Sequence, residues 1–291
     1  MKIKIRKIKA KYLLIFILII FLFIGALHHF LVERRFAKSL EKRTLLIVME
    51  NNFMLSPEIE EDYEEHKNLV DTLFSYIFKV DKKDLNNKSL PEIVDIYGED
   101  YLANRFKNVA KDYEKIVVLS DEKASYDNFK RVLIELDNEG KTIDILLDLH
   151  GGSDSIYFYN QEISKHSIGY DKDFSFSQKS LNIGYVYQTI CYGGENMEIW
   201  LKLGAKVVNG SKGINNFVIL APERFLYLWI HGKTYYNAVN SGFNFEVLIQ
   251  KIIGKFLPET IFSIKEDYLE SGRMIFIGEK DYKLGGFVAG L

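Results

Sequence analysis

From residue 44 onward the chain alternates short uninterrupted apolar runs with longer stretches in which apolar residues return every three or four positions. The runs at 44–49 (TLLIVM), 115–119 (KIVVL), 142–149 (TIDILLDL), 182–190 (NIGYVYQTI), 205–209 and 273–277 have the length and composition of strands buried on both faces. The periodic stretches predict helices. One covers 57–80, where Leu69, Leu73, Tyr76 and Ile77 share a face; others cover 100–113, 125–136, 195–203, 222–239 and 245–256. Ser125 or Asp127 is placed to cap the third of these, and Gly204 to close the fourth. Residues 86–91 read as a loop, and the alternating stretches 155–160 and 162–168 as a hairpin. Apolar strands separated by helices predict an α/β fold, a mostly parallel sheet covered on both faces, with its ligand outside the carboxyl ends of the strands.

The first 43 residues have a different pattern. Residues 1–11 hold six basic side chains and are followed by 16 residues, 12–27, without a charge; 28–32 extend the run to 21. A bilayer-spanning helix needs about 20 apolar residues, and this run is apolar all round, unlike a surface helix. A cleaved signal peptide is the alternative. Its best cleavage site, Ile24-Gly25-Ala26, has a bulky residue where a small one is wanted. The expected organisation is a basic cytoplasmic tail (1–11), a transmembrane signal anchor (12–32), a charged connector (33–43) and one α/β domain (44–291). Five basic residues follow the span closely, but long domains translocate largely regardless of charge. The domain is therefore expected on the extracytoplasmic side of the cell membrane.

Composition narrows the function. Of 291 residues, 47% are hydrophobic, enough to build a core. Residues 1–43 hold 11 of the 38 basic and 2 of the 40 acidic side chains, so 27 basic and 38 acidic ones remain, a net −11. An acidic domain is a poor match to a phosphate backbone, which sets nucleic-acid partners aside. There is one cysteine, so no intramolecular disulfide, and no Cys/His cluster with zinc-finger spacing.

That cysteine stands at a telling position. His150 and Cys191 each end an apolar strand, and glycines follow each closely. Singly, a strand-end cysteine is usually a small packing residue and a strand-end histidine a structural one. Together, at matching ends of two strands, they form a nucleophile and the base that a thiol needs near pH 7. The amides of Gly151 and Cys191 are the candidates for an oxyanion hole.

The two blocks around these residues, 143–151 (IDILLDLHG) and 185–191 (YVYQTIC), resemble the signature blocks of the clan CD cysteine peptidases, which include caspases, legumain, gingipain and the CHAT domains. His-Gly-Gly followed by the hairpin is similar to the legumain and GPI-transamidase branch. The helix ending in Gly204-Ala205 and the strand ending in Asn209-Gly210-Ser211 are similar to the gingipain and CHAT branch. The resemblance implies a caspase-like three-layer α/β sandwich and a cysteine endopeptidase, or related acyl transferase, acting on a polypeptide through a Cys–His dyad with no metal or organic cofactor. It also implies that Gln188, Thr189 and Ser211 border the substrate pocket. Several members have an acidic residue or glutamine two positions before the cysteine, where this chain has Thr189, so no preference for the residue before the scissile bond carries over. The alternative function is a catalytically inactive caspase-like module serving as a membrane-tethered binding domain.

Overall fold

The computed structural model describes residues 40–50, 64, 67–68, 70–72, 74–75, 79–93, 96–97, 99–170, 180–215, 220–253 and 266–284. The apolar run 12–32 and most of the connector lie outside the described residues. Within them, no helix is long and apolar enough to cross a membrane.

The sheet contains β1 (Leu40–Glu50), β2 (Tyr113–Ser120), β3 (Thr142–Gly151), β6 (Ile183–Gln188), β7 (Val207–Ser211) and β8 (Met274–Gly278), in the order β2-β1-β3-β6-β7-β8. All neighbours are parallel except β7 and β8. β4 (Ser155–Phe158) and β5 (Gln161–Ser164) form a hairpin that pairs antiparallel with the last residues of β3. The chain leaves β1 for β2 on one side and returns to β3 on the other, so the sheet reverses direction between β1 and β3, where doubly wound sheets open a crevice.

Strand alternation sorts the core into two layers. Ile143, Ile145, Leu147 and Leu149 of β3 face one side, under α2 (Tyr126–Asn138) and α4 (Met197–Leu203). Leu146 and, from β6, Tyr185 and Tyr187 face the other side. There α1 (Glu99–Val109), α5 (Leu220–Ile230) and α6 (Tyr235–Ile253) cover them. The result is a helix–sheet–helix sandwich, mixed α/β with a mostly parallel sheet.

Asp144 sits in the second layer, fully buried. The Arg43 guanidinium forks onto its two oxygens, Nε donating at 2.9 Å, and Tyr113 Oη donates to it at 2.8 Å. Burial works against the Arg43 charge, but the carboxylate outweighs it and holds the guanidinium protonated. Arg43 also donates to Tyr282 beyond β8, which ties the first strand to the last segment of the chain. Gly184 is required beside this pair, because a Cβ there would run into Arg43 and Asp144.

Three expected boundaries are corrected. Helix α5 ends at Ile230 and α6 begins at Tyr235, where one helix was expected over 222–239 and a gap after it. Gly232 adopts φ +82° and stops α5, whereas Ser241-Gly242 continues α6. Gly242 serves close approach: its Cα faces Ala221 so tightly that a Cβ would lie 2.5 Å from that carbonyl oxygen. The second hairpin arm ends at Ser164, and Lys165–Tyr170 is the short helix α3. The loop expected over 86–91 is present at 86–89, between helical turns at Lys82–Leu85 and Leu90–Ile93. β3 extends two residues past its apolar run, so His150 and Gly151 belong to the strand and to the pairing with β4.

Candidate active site

Register determines what the carboxyl ends of β3 and β6 bring together. Asp144 pairs with Tyr185 and Leu146 with Tyr187. Thr189 continues the row past the end of β6: its N–H donates to Leu147 O at 3.0 Å, and its hydroxyl donates to Asp148 Oδ1 at 2.6 Å. Carried two residues further, past the last paired residues, the same offset relates His150 to Cys191, which stands in the turn after β6. Parallel neighbours lie about 4.8 Å apart with side chains on one face. Among the described residues no backbone hydrogen bond joins the strands after Thr189, so their ends part at this point. Gly151 stays in contact across the gap, since a Cβ there would collide with Ile190 and lie 3.1 Å from the Cys191 carbonyl oxygen.

His150 is half-buried, and its Nε2 has no hydrogen-bond partner among the described residues. Burial pushes its pKa below the ordinary 6.5, which favours the neutral ring at pH 7. Cys191 is partly exposed. Its Sγ accepts a hydrogen bond from the Asn215 N–H at 3.4 Å. The loop carrying Asn215 follows β7 and is held against the cysteine by two further bonds. Tyr192 N–H donates to Gly213 O at 2.7 Å, and the Asn215 side chain to Thr189 O at 2.8 Å. The sulfur thus lies against this loop.

The amides follow from the pairing. Leu147 O accepts from β6, so odd-numbered residues of β3 direct their backbone groups to that side. Gly152 N–H donates to Ser155 O, which leaves Gly151 in the non-hydrogen-bonded position of the hairpin ladder, its N–H on the Cys191 side. The Tyr192 and Gly193 amides are both engaged, the former on Gly213 O of the loop after β7 and the latter on Ile190 O at 3.0 Å. The Cys191 amide has no partner among the described residues.

Gln188, Thr189 and Ser211 are all buried. Gln188 points to the other face of the sheet, donating to Asn209 O at 2.9 Å and accepting from Trp200 at 3.1 Å. Ser211, the last residue of β7, donates across to Ile190 O after β6 or to Gly213 O in its own following loop. These residues brace the two strand ends. Two residues were missed from sequence: Asn215, and Lys165 at the start of α3. The Lys165 side chain is 6% exposed and reaches the Ser153 carbonyl on the His150 side and the Glu195 carboxylate (3.2 Å) on the Cys191 side. Neither carries a local motif; only the folded chain brings them to the site.

A cavity of about 260 Å³ beside Asp137, Asn182 and Lys206 opens at the amino ends of the strands, away from these residues. Among the described residues no group of three His, Cys, Asp or Glu is arranged to hold a metal ion.

No family model and no curated protein matches the chain. Among solved structures it is similar to the Arg specific cysteine proteinase gingipain R, with a TM-score of 0.45 and 14% identity over 84% of this chain and 49% of that one. The chain thus spans about half the length of that proteinase.

Proposed function

We propose that the chain is a cysteine peptidase, or a related acyl transferase, of caspase-like fold, and that His150 and Cys191 are its catalytic pair. The observation that carries this reading is the row 144/185, 146/187, 148/189, whose next members are His150 and Cys191, at the parted ends of adjacent parallel strands. An unpartnered buried imidazole nitrogen and a partly exposed thiol, each past the end of the apolar run of adjacent parallel strands, support this reading, since base-assisted thiol chemistry needs both groups.

In this mechanism the Cys191 proton passes to the imidazole and Sγ attacks the substrate carbonyl carbon. The resulting oxyanion takes hydrogen bonds from the Gly151 and Cys191 amides, and the Asn215 N–H steadies the sulfur before attack. The C–N bond breaks as the imidazolium gives its proton to the leaving amine. Water, deprotonated by the neutral imidazole, then cleaves the thioester and regenerates the thiol; an amine in its place gives transpeptidation. The membrane anchor at 12–32 and an extracytoplasmic domain belong to the same proposal, supported by the 21-residue apolar run and its basic tail.

The test is labelling of the purified full chain with iodoacetamide and with peptidyl acyloxymethyl ketones, alongside Cys191→Ala and His150→Ala. Rapid labelling at Cys191 that His150→Ala slows supports the pair. A cysteine that labels no faster than a free thiol in both proteins favours the inactive binding module.

A further inference from the structure

The hairpin beside His150 bears a row of side chains that the mechanism above does not use. His150 pairs with Tyr157 across β3 and β4, and Tyr157 pairs with Glu162 across β4 and β5. Directly opposed residues in antiparallel strands project from one face, so His150, Tyr157 and Glu162 form a line across three strands. Their neighbours in the ladder, Ile156 and Ile163, belong to the other face, where Ile156 is buried in the core and Ile163 packs against it. Tyr157 is 39% exposed, a large aromatic left in solvent, and Glu162 is exposed. Tyr157 Oη donates to Glu162 Oε1 at 3.2 Å, which fixes ring and carboxylate relative to each other. Glu162 has no ion-pair partner among the described residues; the nearby Lys165 is engaged with Ser153 and Glu195.

The direction of a substrate across this row follows from which group does what. The loop holding Asn215 closes one side of the Cys191 sulfur, so the acyl half of a substrate lies toward that loop. The group that protonates the departing amine is His150, so the leaving half lies on the His150 side and continues over the hairpin. From His150 to Glu162 is two strand spacings, about 10 Å, which an extended peptide covers in about three residues.

The geometry points to Tyr157 and Glu162 as a binding strip for the leaving half of the substrate, selecting a polypeptide with an apolar or aromatic residue about two positions, and a lysine or arginine about three positions, after the scissile bond. This rests on the peptidase reading above. The carboxylate supplies the charge preference, and the exposed ring supplies a flat apolar platform that also accepts a cation on its face. The net charge of −11 outside the first 43 residues draws basic segments toward the same side of the binding equilibrium.

The experiment uses the full chain in detergent with a synthetic peptide mixture randomised on both sides of a central position. New amino termini are sequenced by mass spectrometry, for the unchanged protein and for Glu162→Gln, Glu162→Lys and Tyr157→Ser. The expected result is enrichment of Lys and Arg two to four residues into the new termini. Glu162→Gln should lose it by roughly two- to fivefold, the size of an exposed charge pair, and Glu162→Lys should turn it toward Asp and Glu. Tyr157→Ser should lose the apolar preference one residue nearer the cut. Residues before the cut should be selected identically by all four proteins, which shows that the variants are folded. Cleavage without a basic preference, or with one that survives Glu162→Lys, overturns the strip and leaves the peptidase reading standing. Absence of cleavage and of Cys191 labelling overturns both.

Discussion

At the site, one nitrogen sets the pH behaviour. Burial lowers the His150 pKa, so its folded-state value is below 6.5 while the unfolded chain keeps the ordinary value. Between those two values the unfolded chain binds more protons, so stability falls as pH drops through that window and is unaffected by this group above it. The same depression keeps the base free: the acid limb of kcat/KM is expected to have its midpoint below pH 6.5. A midpoint at or above 6.5 would mean that the limb belongs to another group. Cys191→Ala should abolish turnover with an unchanged melting temperature, and His150→Ala should be nearly as inactivating, because residues that act as a unit are not additive. The positions of His150 and Cys191 past the apolar runs of adjacent strands were legible in sequence, because each follows such a run and glycine follows each. Asn215 was not, since its contribution to the sulfur is a backbone N–H, which any residue there would supply. The faces of Gln188 and Thr189 depend on strand alternation, and only the register with β3 shows that Thr189 shares the face of Asp148.

Lys165 belongs to the scale of elements. It starts α3, and its ammonium spans the turn after His150 and the turn after Cys191. Lys165→Met should leave the core intact but let the two turns move independently. Acylation of Cys191 is then expected to slow by roughly 10- to 100-fold, the cost of about an ångström of misplacement, with arginine restoring more than methionine. An acylation rate unchanged in Lys165→Met would reduce the residue to a surface tie. The helices give a second case. Gly242→Ala puts a methyl 2.5 Å from the Ala221 carbonyl oxygen and should destabilise by about 1–3 kcal/mol, measured by urea unfolding, although alanine is the better helix former. That is why the break between α5 and α6 was misplaced from sequence. Gly232 and Gly242 look alike in a linear pattern, but one provides a left-handed turn and the other a close crossing. The strands were easier, because uninterrupted apolar runs have one reading in a sheet covered on both sides. Their ends were not, and β3 gained His150 and Gly151 from a hairpin partner distant in its chemistry from the run.

Across the whole molecule, the two ends of the sheet have separate tasks. The carboxyl ends carry the proposed site, and the amino ends carry the Arg43–Asp144 pair with Tyr113 and Tyr282. Asp144→Asn leaves the guanidinium with no matching charge in the core and should cost about 3–5 kcal/mol; replacing both partners with apolar residues of similar volume should cost less. Topology is tested by protease on intact cells, where an extracytoplasmic domain is digested and a cytoplasmic one is protected until lysis. The ion pair has a mechanical consequence as well. A pull on the amino terminus arrives at β1, which is flanked on both sides by parallel strands, so the load runs along two rows of hydrogen bonds at once and must break them together instead of peeling them one by one. Arg43 stands three residues into that strand, forked onto its neighbour's carboxylate. It works as a cleat against traction from that end, so Arg43→Met should lower the rupture force under amino-terminal traction far more than under traction from the other end.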